Sequence, residues 1–165
     1  MKSSFSIVVW MVVVSVLLKM LVYSMGFQFT NYEKIALFGN VFILMAGIFF
    51  GIRLNKMQAT EKTSFVVDFK AGMRVASTYA IFMCAFVYLY YSVIDPTYFD
   101  SKLAAQLTLA EESGLDLENA KQTGEFVLSP FFQSTITLIG FILLGTFYSS
   151  ILTFLMRKMS GFGHK

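Results

Sequence analysis

Four stretches of this chain are each long enough and apolar enough to cross a bilayer, and nothing else in the sequence constrains its fold as strongly. A helix that crosses a hydrocarbon core of ~30 Å needs about 20 consecutive, mostly apolar residues. The stretches at about 5–27, 35–54, 72–94 and 131–156 meet that requirement. Hydrocarbon offers no partner to an exposed backbone N–H or C=O, so only helices and closed barrels can span it. None of the four alternates polar and apolar residues with a period of two, which excludes a transmembrane barrel. An all-α membrane protein is therefore expected: a four-transmembrane-helix bundle forming a single membrane domain over residues 1–165. Charged residues make up only 14% of the chain, where a soluble domain carries about 25%, so much of the surface does not face water.

Orientation follows from where lysine and arginine fall around the spans. Arg53, Lys56, Lys62, Lys70 and Arg74 lie between spans two and three, Arg157, Lys158 and Lys165 follow span four, and Lys2 precedes span one. The segment 95–130 carries only Lys102 and Lys121, against Asp95, Asp100, Glu111, Glu112, Asp116, Glu118 and Glu125. Both termini are thus expected in the cytoplasm and the acidic segment in the periplasm. A signal peptide is the rival reading of the N-terminus: Lys2, an apolar run over 7–18, and Val22-Tyr23-Ser24 as a cleavage site. Apolar character continues past Lys19 to Phe27, which favours a retained span.

The acidic segment has the pattern of a helical hairpin. Asp95-Pro96 suits an N-cap followed by proline at the first helical position. Phe99, Leu103, Leu107 and Ala110 recur at helical spacing, and Gly114 marks a stop. A second helix is expected from Asp116, with Leu117, Ala120, Gly124, Val127 and Leu128 as its weaker stripe, ended by Ser129-Pro130. Such an amphipathic hairpin is expected to lie on the bilayer surface or cap the bundle. Before span three, Thr63 or Ser64 is placed to cap a short helix turning Phe65, Val66 and Phe69 toward lipid. Lys70 and Arg74, four apart, share another face near anionic headgroups.

Small residues recur every four positions in span three: Gly72, Ala76, Ala80 and Cys84. Gly47 and Gly51 in span two, and Gly145 and Ser149 in span four, have the same spacing. In lipid, helices associate by close backbone approach over such residues. The ridge fits packing within the chain better than homo-oligomerisation or docking to a membrane-protein partner. Lys19 is the one charged residue well inside a span, and an ammonium there marks a candidate site unless it snorkels to the interface about 10 Å away. With Arg53, Lys70 and Arg74 it completes the candidate contacts to a lipid phosphate or to a partner. The hydroxyls of span four (Ser134, Thr135, Thr137, Thr146, Ser149, Ser150, Thr153) are expected to bond mostly to backbone. Tyr23, Tyr32, Tyr88, Tyr90 and Tyr91 read as an interfacial belt.

Chemistry-bearing residues are scarce. One cysteine (Cys84) and one histidine (His164) exclude an intrachain disulfide and leave a zinc or haem site without ligands. No cluster of basic residues on a polar face points to nucleic acid. No metal, cofactor or enzymatic activity is expected, since a usable site needs an acid or base with an oriented partner.

Several short words in order resemble the uncharacterised bacterial membrane-protein family known as domain of unknown function 4199 (DUF4199). They are Phe50-Gly51-Ile52-Arg53, the run from Phe65 to Gly72, Tyr90-Tyr91 followed by Asp95-Pro96 and Phe99, the acidic hairpin, and Ser129-Pro130-Phe131. Members often carry a glycine where this chain has Glu61-Lys62-Thr63-Ser64, which bears on the turn geometry there. The resemblance implies four spans and an inner membrane of the Gram-negative type, and it implies no activity. It also hints at work beside polyprenyl-phosphate glycosyltransferases. The functional expectation is a non-enzymatic accessory or scaffold subunit of a membrane complex. The alternative is a binder or carrier of an anionic or polyprenyl-phosphate-linked lipid, and an enzyme acting through Asp95 ranks last.

Overall fold

The computed structural model describes residues 4–159, so Lys2, His164 and Lys165 lie outside the described residues. Among the described residues the chain is all-helical: α1 (Ser4–Ser24), α2 (Glu33–Gln58), α3 (Phe65–Leu89), α4 (Tyr98–Glu112), α5 (Leu117–Val127) and α6 (Pro130–Lys158), with a π-helical turn at Tyr90–Ile94 prolonging α3. Four helices are long and apolar enough to cross a membrane: Ser4–Ser24, Lys34–Gln58, Phe65–Ile94 and Pro130–Lys158.

The helix ends show why the elements stop where they do. Gly26 has φ +70°, its N–H donates to the Tyr23 carbonyl, and that of Phe27 donates to Val22. This pair of bonds closes the last turn of α1 through a left-handed residue, so α1 ends before the expected Phe27. Gly114 (φ +67°) ends α4 the same way, through Gly114 to Glu111 and Leu115 to Ala110, as its position predicts. Asp116 caps α5 by accepting from the N–H groups of Glu118 and Asn119. Ser129 accepts from the N–H of Phe132 at 3.2 Å, with Pro130 in the first turn of α6.

Two boundaries differ from the expected ones. Asp95 does not cap α4, which starts at Tyr98 after Thr97. Its N–H instead donates to the Tyr90 carbonyl and closes the π turn, because the chain stays helical up to Ile94 and Pro96 then denies it a continuing N–H. Nor is there a separate short helix before span three. Ser64 accepts from the N–H of Val67 at 3.4 Å and α3 runs on unbroken through Gly72. With neither proline nor a positive-φ glycine between them, Phe65 and Gly72 belong to one rod. Phe65 and Val66 are exposed as expected, whereas Phe69 is half-buried.

The chain forms two compact units. The first comprises residues up to Phe82 and those from Gly140 onward. In it α1 and α2 run antiparallel, with Leu18 against Gly39 and Met11 against Gly47. Gly51 of α2 meets Val75 of α3. The core of this unit holds Leu44, Ile48, Ile52, Val75, Tyr79 and Ala80, all fully buried. The second unit, Met83–Ile139, contains α4 packed on α5. Gly124, the residue that weakens α5 on propensity grounds, lies where a Cβ would fall 2.5 Å from Leu103 Cδ1, so its small size serves the contact. Tyr91 packs against Tyr98 and Phe99.

Candidate functional site

The most unusual group in the first unit is Asp68, in the first turn of α3 and fully buried. A buried carboxylate is costly unless it is paired. Two cations pair it: Lys56 Nζ at 3.1 Å and Arg157 Nη1 at 3.5 Å. The Arg157 guanidinium also donates to the Thr63 carbonyl at 2.6 Å. Each charge suits its own helix, because Asp68 sits at the N-terminus of α3 while Lys56 and Arg157 occupy the last turns of α2 and α6. Three helix ends therefore meet with the signs their dipoles favour and that attract one another. The contacts are ionic, since neither carboxylate oxygen accepts an aligned hydrogen bond among the described residues.

Packing between α3 and α6 extends this site inward. A Cβ on Gly72 would lie 2.7 Å from Ser149 Oγ, and one on Gly145 would lie 2.5 Å from Ala76 Cβ. Tyr79 and Phe141 are in ring contact at 5.2 Å. Four residues along α3 match four in reverse along α6, so the pair is antiparallel and in step. One turn further out, Asp68 falls level with Thr153. Ser149 and Thr153 are fully buried, and among the described residues their hydroxyls have no hydrogen-bond partner. Asn55 Nδ2, next to Lys56, is likewise buried and unpartnered. Asp68, Lys56 and Arg157, with Ser149 and Thr153 along the same α3–α6 contact, thus make one polar group within the unit. Other hydroxyls of α6 bond to backbone as expected: Thr137, Thr146 and Ser150 donate to carbonyls four residues earlier.

Deeper in the unit the Ser15 hydroxyl and the Tyr79 phenol share a 2.7 Å hydrogen bond, both groups fully buried. Hydrogen bonds between membrane helices contribute about 0.6 kcal/mol on average and about 1.7 at most. Tyr79→Phe is expected to cost an amount in that range, read as a shift in thermal unfolding in detergent. A change beyond ~3 kcal/mol would mean that the phenol holds more than Ser15.

The residues singled out from sequence do not converge on one site. Gly72, Ala76 and Ala80 are buried, with Gly72 and Ala76 in the α3–α6 contact, and Cys84 is half-buried. Gly47 and Gly51 face Met11 and Val75. Lys70, Arg74 and Arg53 are exposed, and Lys19 is half-buried in α1. Since Leu18 faces Gly39, Lys19 is level with α2 residues about 14 positions, roughly 21 Å, from Arg53. Tyr90 leaves the expected interfacial belt: it is fully buried, and its hydroxyl donates to Asp95 at 3.4 Å.

Reading the sequence missed Asp68 as a centre. It is the one acid between Glu61 and Asp95, set among Val66, Val67 and Phe69, and four residues before Gly72 on the ridge face. Those three facts together would have marked it. Among the described residues no group of three or more His, Cys, Asp or Glu side chains is placed to hold a metal ion.

A family model described as "Protein of unknown function (DUF4199)" matches residues 5–158. The chain belongs to this family. The DUF4199 match takes in every helix that builds the Asp68 site, α2, α3 and α6, as well as the α4–α5 pair. No curated protein and no solved structure matches the chain.

Proposed function

We propose that this DUF4199 protein is a four-span protein of the bacterial inner membrane with both termini cytoplasmic, acting without catalysis of its own as an accessory subunit of a membrane complex. The topology rests on the antiparallel contacts of α1 with α2, α2 with α3 and α3 with α6, together with the lysines and arginines that surround the Asp68 end. The observation that carries the accessory role is the tip of the α4–α5 hairpin. Leu109 and Leu115 are each 63% exposed and Leu117 is 43% exposed, around a turn held by Gly114 and Asp116.

Helices that lie in a bilayer interface carry lysine and arginine on their polar face. This hairpin exposes Asp100, Glu111, Glu112, Asp116, Glu118 and Glu125 against one exposed lysine, Lys121, an acidic excess that anionic headgroups repel. An apolar tip inside a rim of carboxylates fits a protein partner with an apolar cleft and a basic rim. The full chain, tagged and purified from its own membranes in mild detergent, is expected to bring down a stoichiometric partner. The double substitution Leu109→Ser, Leu115→Ser is expected to reduce that recovery more than tenfold, the loss of about 1.4 kcal/mol or more, with the unfolding temperature unchanged. A lone monomer, or a partner retained in full by the double variant, would sink this reading.

Binding of an anionic lipid is the second reading, favoured by a groove beside Arg53.

A further inference from the structure

In the first unit, α1 and α2 leave between them a groove of about 600 Å³, within the ~300–1,000 Å³ range of small-molecule sites. One wall is the α1 stripe of Ile7, Trp10 and Val14, and the other is the α2 stripe from Ile43 through Phe50 to Met57. Arg53 is the sole charged side chain in the lining, where the Ser6 hydroxyl and the Trp10 indole N–H are the other polar groups. From Ile43 to Met57 the groove runs 14 residues, roughly 21 Å at the helical rise. That length equals one leaflet of a ~30 Å hydrocarbon core plus its headgroup margin. An apolar groove of that length with Arg53 toward one end is complementary to one hydrocarbon chain that carries an anionic head.

We propose that the groove binds one acyl chain of an anionic phospholipid from the cytoplasmic leaflet, with the lipid phosphate on Arg53. This rests on the four-span placement given above and is independent of the hairpin's partner. Arg53 lies five residues before the end of α2, about 7.5 Å from it, which is headgroup depth for a helix that ends in the cytoplasm. Its planar guanidinium grips a phosphate with two parallel hydrogen bonds. Trp10, 67% exposed on the groove wall, is the only tryptophan in the chain, so the molecule carries its own reporter.

The test reconstitutes the full chain in zwitterionic phosphatidylcholine bilayers containing a small fraction of either phosphatidylglycerol or phosphatidylcholine with brominated acyl chains. At equal mole fraction, brominated phosphatidylglycerol is expected to quench Trp10 with about five-fold higher affinity, the worth of one basic residue at an anionic surface. Arg53→Gln is expected to abolish that preference, and Arg74→Gln, on the exposed face of α3, to retain it. Equal quenching by the two lipids, or a preference that survives Arg53→Gln, would overturn the proposal. Shielding of Trp10 from brominated lipid, with α1 and α2 shown to be inserted by protease protection, would also overturn it and point to a protein occupant. A chain that fails to insert would instead overturn the four-span placement, which protease accessibility reads separately.

Discussion

Asp68→Ala is expected to destabilise the protein by about 3 kcal/mol, at the lower end of the ~3–5 kcal/mol found when one partner of a buried ion pair is removed. The lower end applies because Arg157 is 40% exposed and can turn outward once released. Lys56 is only 11% exposed, so the penalty falls mainly on its ammonium, left without a counter-charge. Lys56→Met is accordingly expected to cost more than Arg157→Met. The decisive measurement is a double-mutant cycle in detergent: Asp68→Ala combined with Lys56→Met is expected to be milder than the two single changes added together, by ~1 kcal/mol or more. Removing both charges also removes the desolvation that each imposed. If the two changes simply add, or if Asp68→Ala unfolds within a degree or so of the wild-type chain, the three-helix charge contact does not hold these helix ends together.

The second large effect is expected at Gly145. A Cβ there would lie 2.5 Å from the Ala76 Cβ. Neither atom can rotate away, because each is fixed directly to a backbone, so α3 and α6 have to separate. Overpacking of this kind costs about 1–3 kcal/mol for the smallest addition, and Gly145→Leu is expected to exceed it. Gly140, five residues earlier on the same helix, has nothing within 4 Å of a built Cβ. Gly140→Ala is therefore expected to be neutral or stabilising by up to about 1 kcal/mol, through helix propensity alone. Thermal unfolding of the two alanine variants side by side separates packing from propensity. Equal behaviour of Gly145→Ala and Gly140→Ala would show that the α3–α6 approach is looser than drawn.

What could be read in the sequence was what depends on composition over a whole helix or on one local rule. Twenty apolar residues make a long apolar helix wherever they pack, and Gly114 and Asp116 act through bonds to their own neighbours, so the four long helices and the hairpin turn were legible. Boundaries failed where a nonlocal or competing preference decided them. Gly72 opens the apolar window of span three, yet α3 begins at Phe65, and the worth of Gly72 lies in the space it leaves for Ser149. Asp95-Pro96 has the form of a cap, but the Asp95 carboxylate accepts from the buried Tyr90 hydroxyl and α4 begins only at Tyr98. Asp68 was hidden for a different reason. A charge gains meaning only from the charges that meet it, and those stand 12 and 89 positions away in the chain. The groove beside Arg53 was invisible for the same reason: each wall alone is an ordinary apolar helix face, and the space exists only between them.

The four-residue ladder that joins α3 to α6 has a further consequence. A repeat of small side chains is nearly superimposable on itself after one helical turn. Sliding α6 by about 6 Å along α3 would set Thr153 against Gly72, Ser149 against Ala76 and Gly145 against Ala80, and each rung would again hold small groups. The ladder fixes the spacing of the two rods without fixing which rung meets which. That choice falls to contacts that do not repeat: the Tyr79–Phe141 rings and the Arg157 clasp on Asp68 and Thr63. The interface is in effect a ratchet with two pawls, and a piston-like coordinate opens only when the Arg157 clasp and the Tyr79–Phe141 rings both let go.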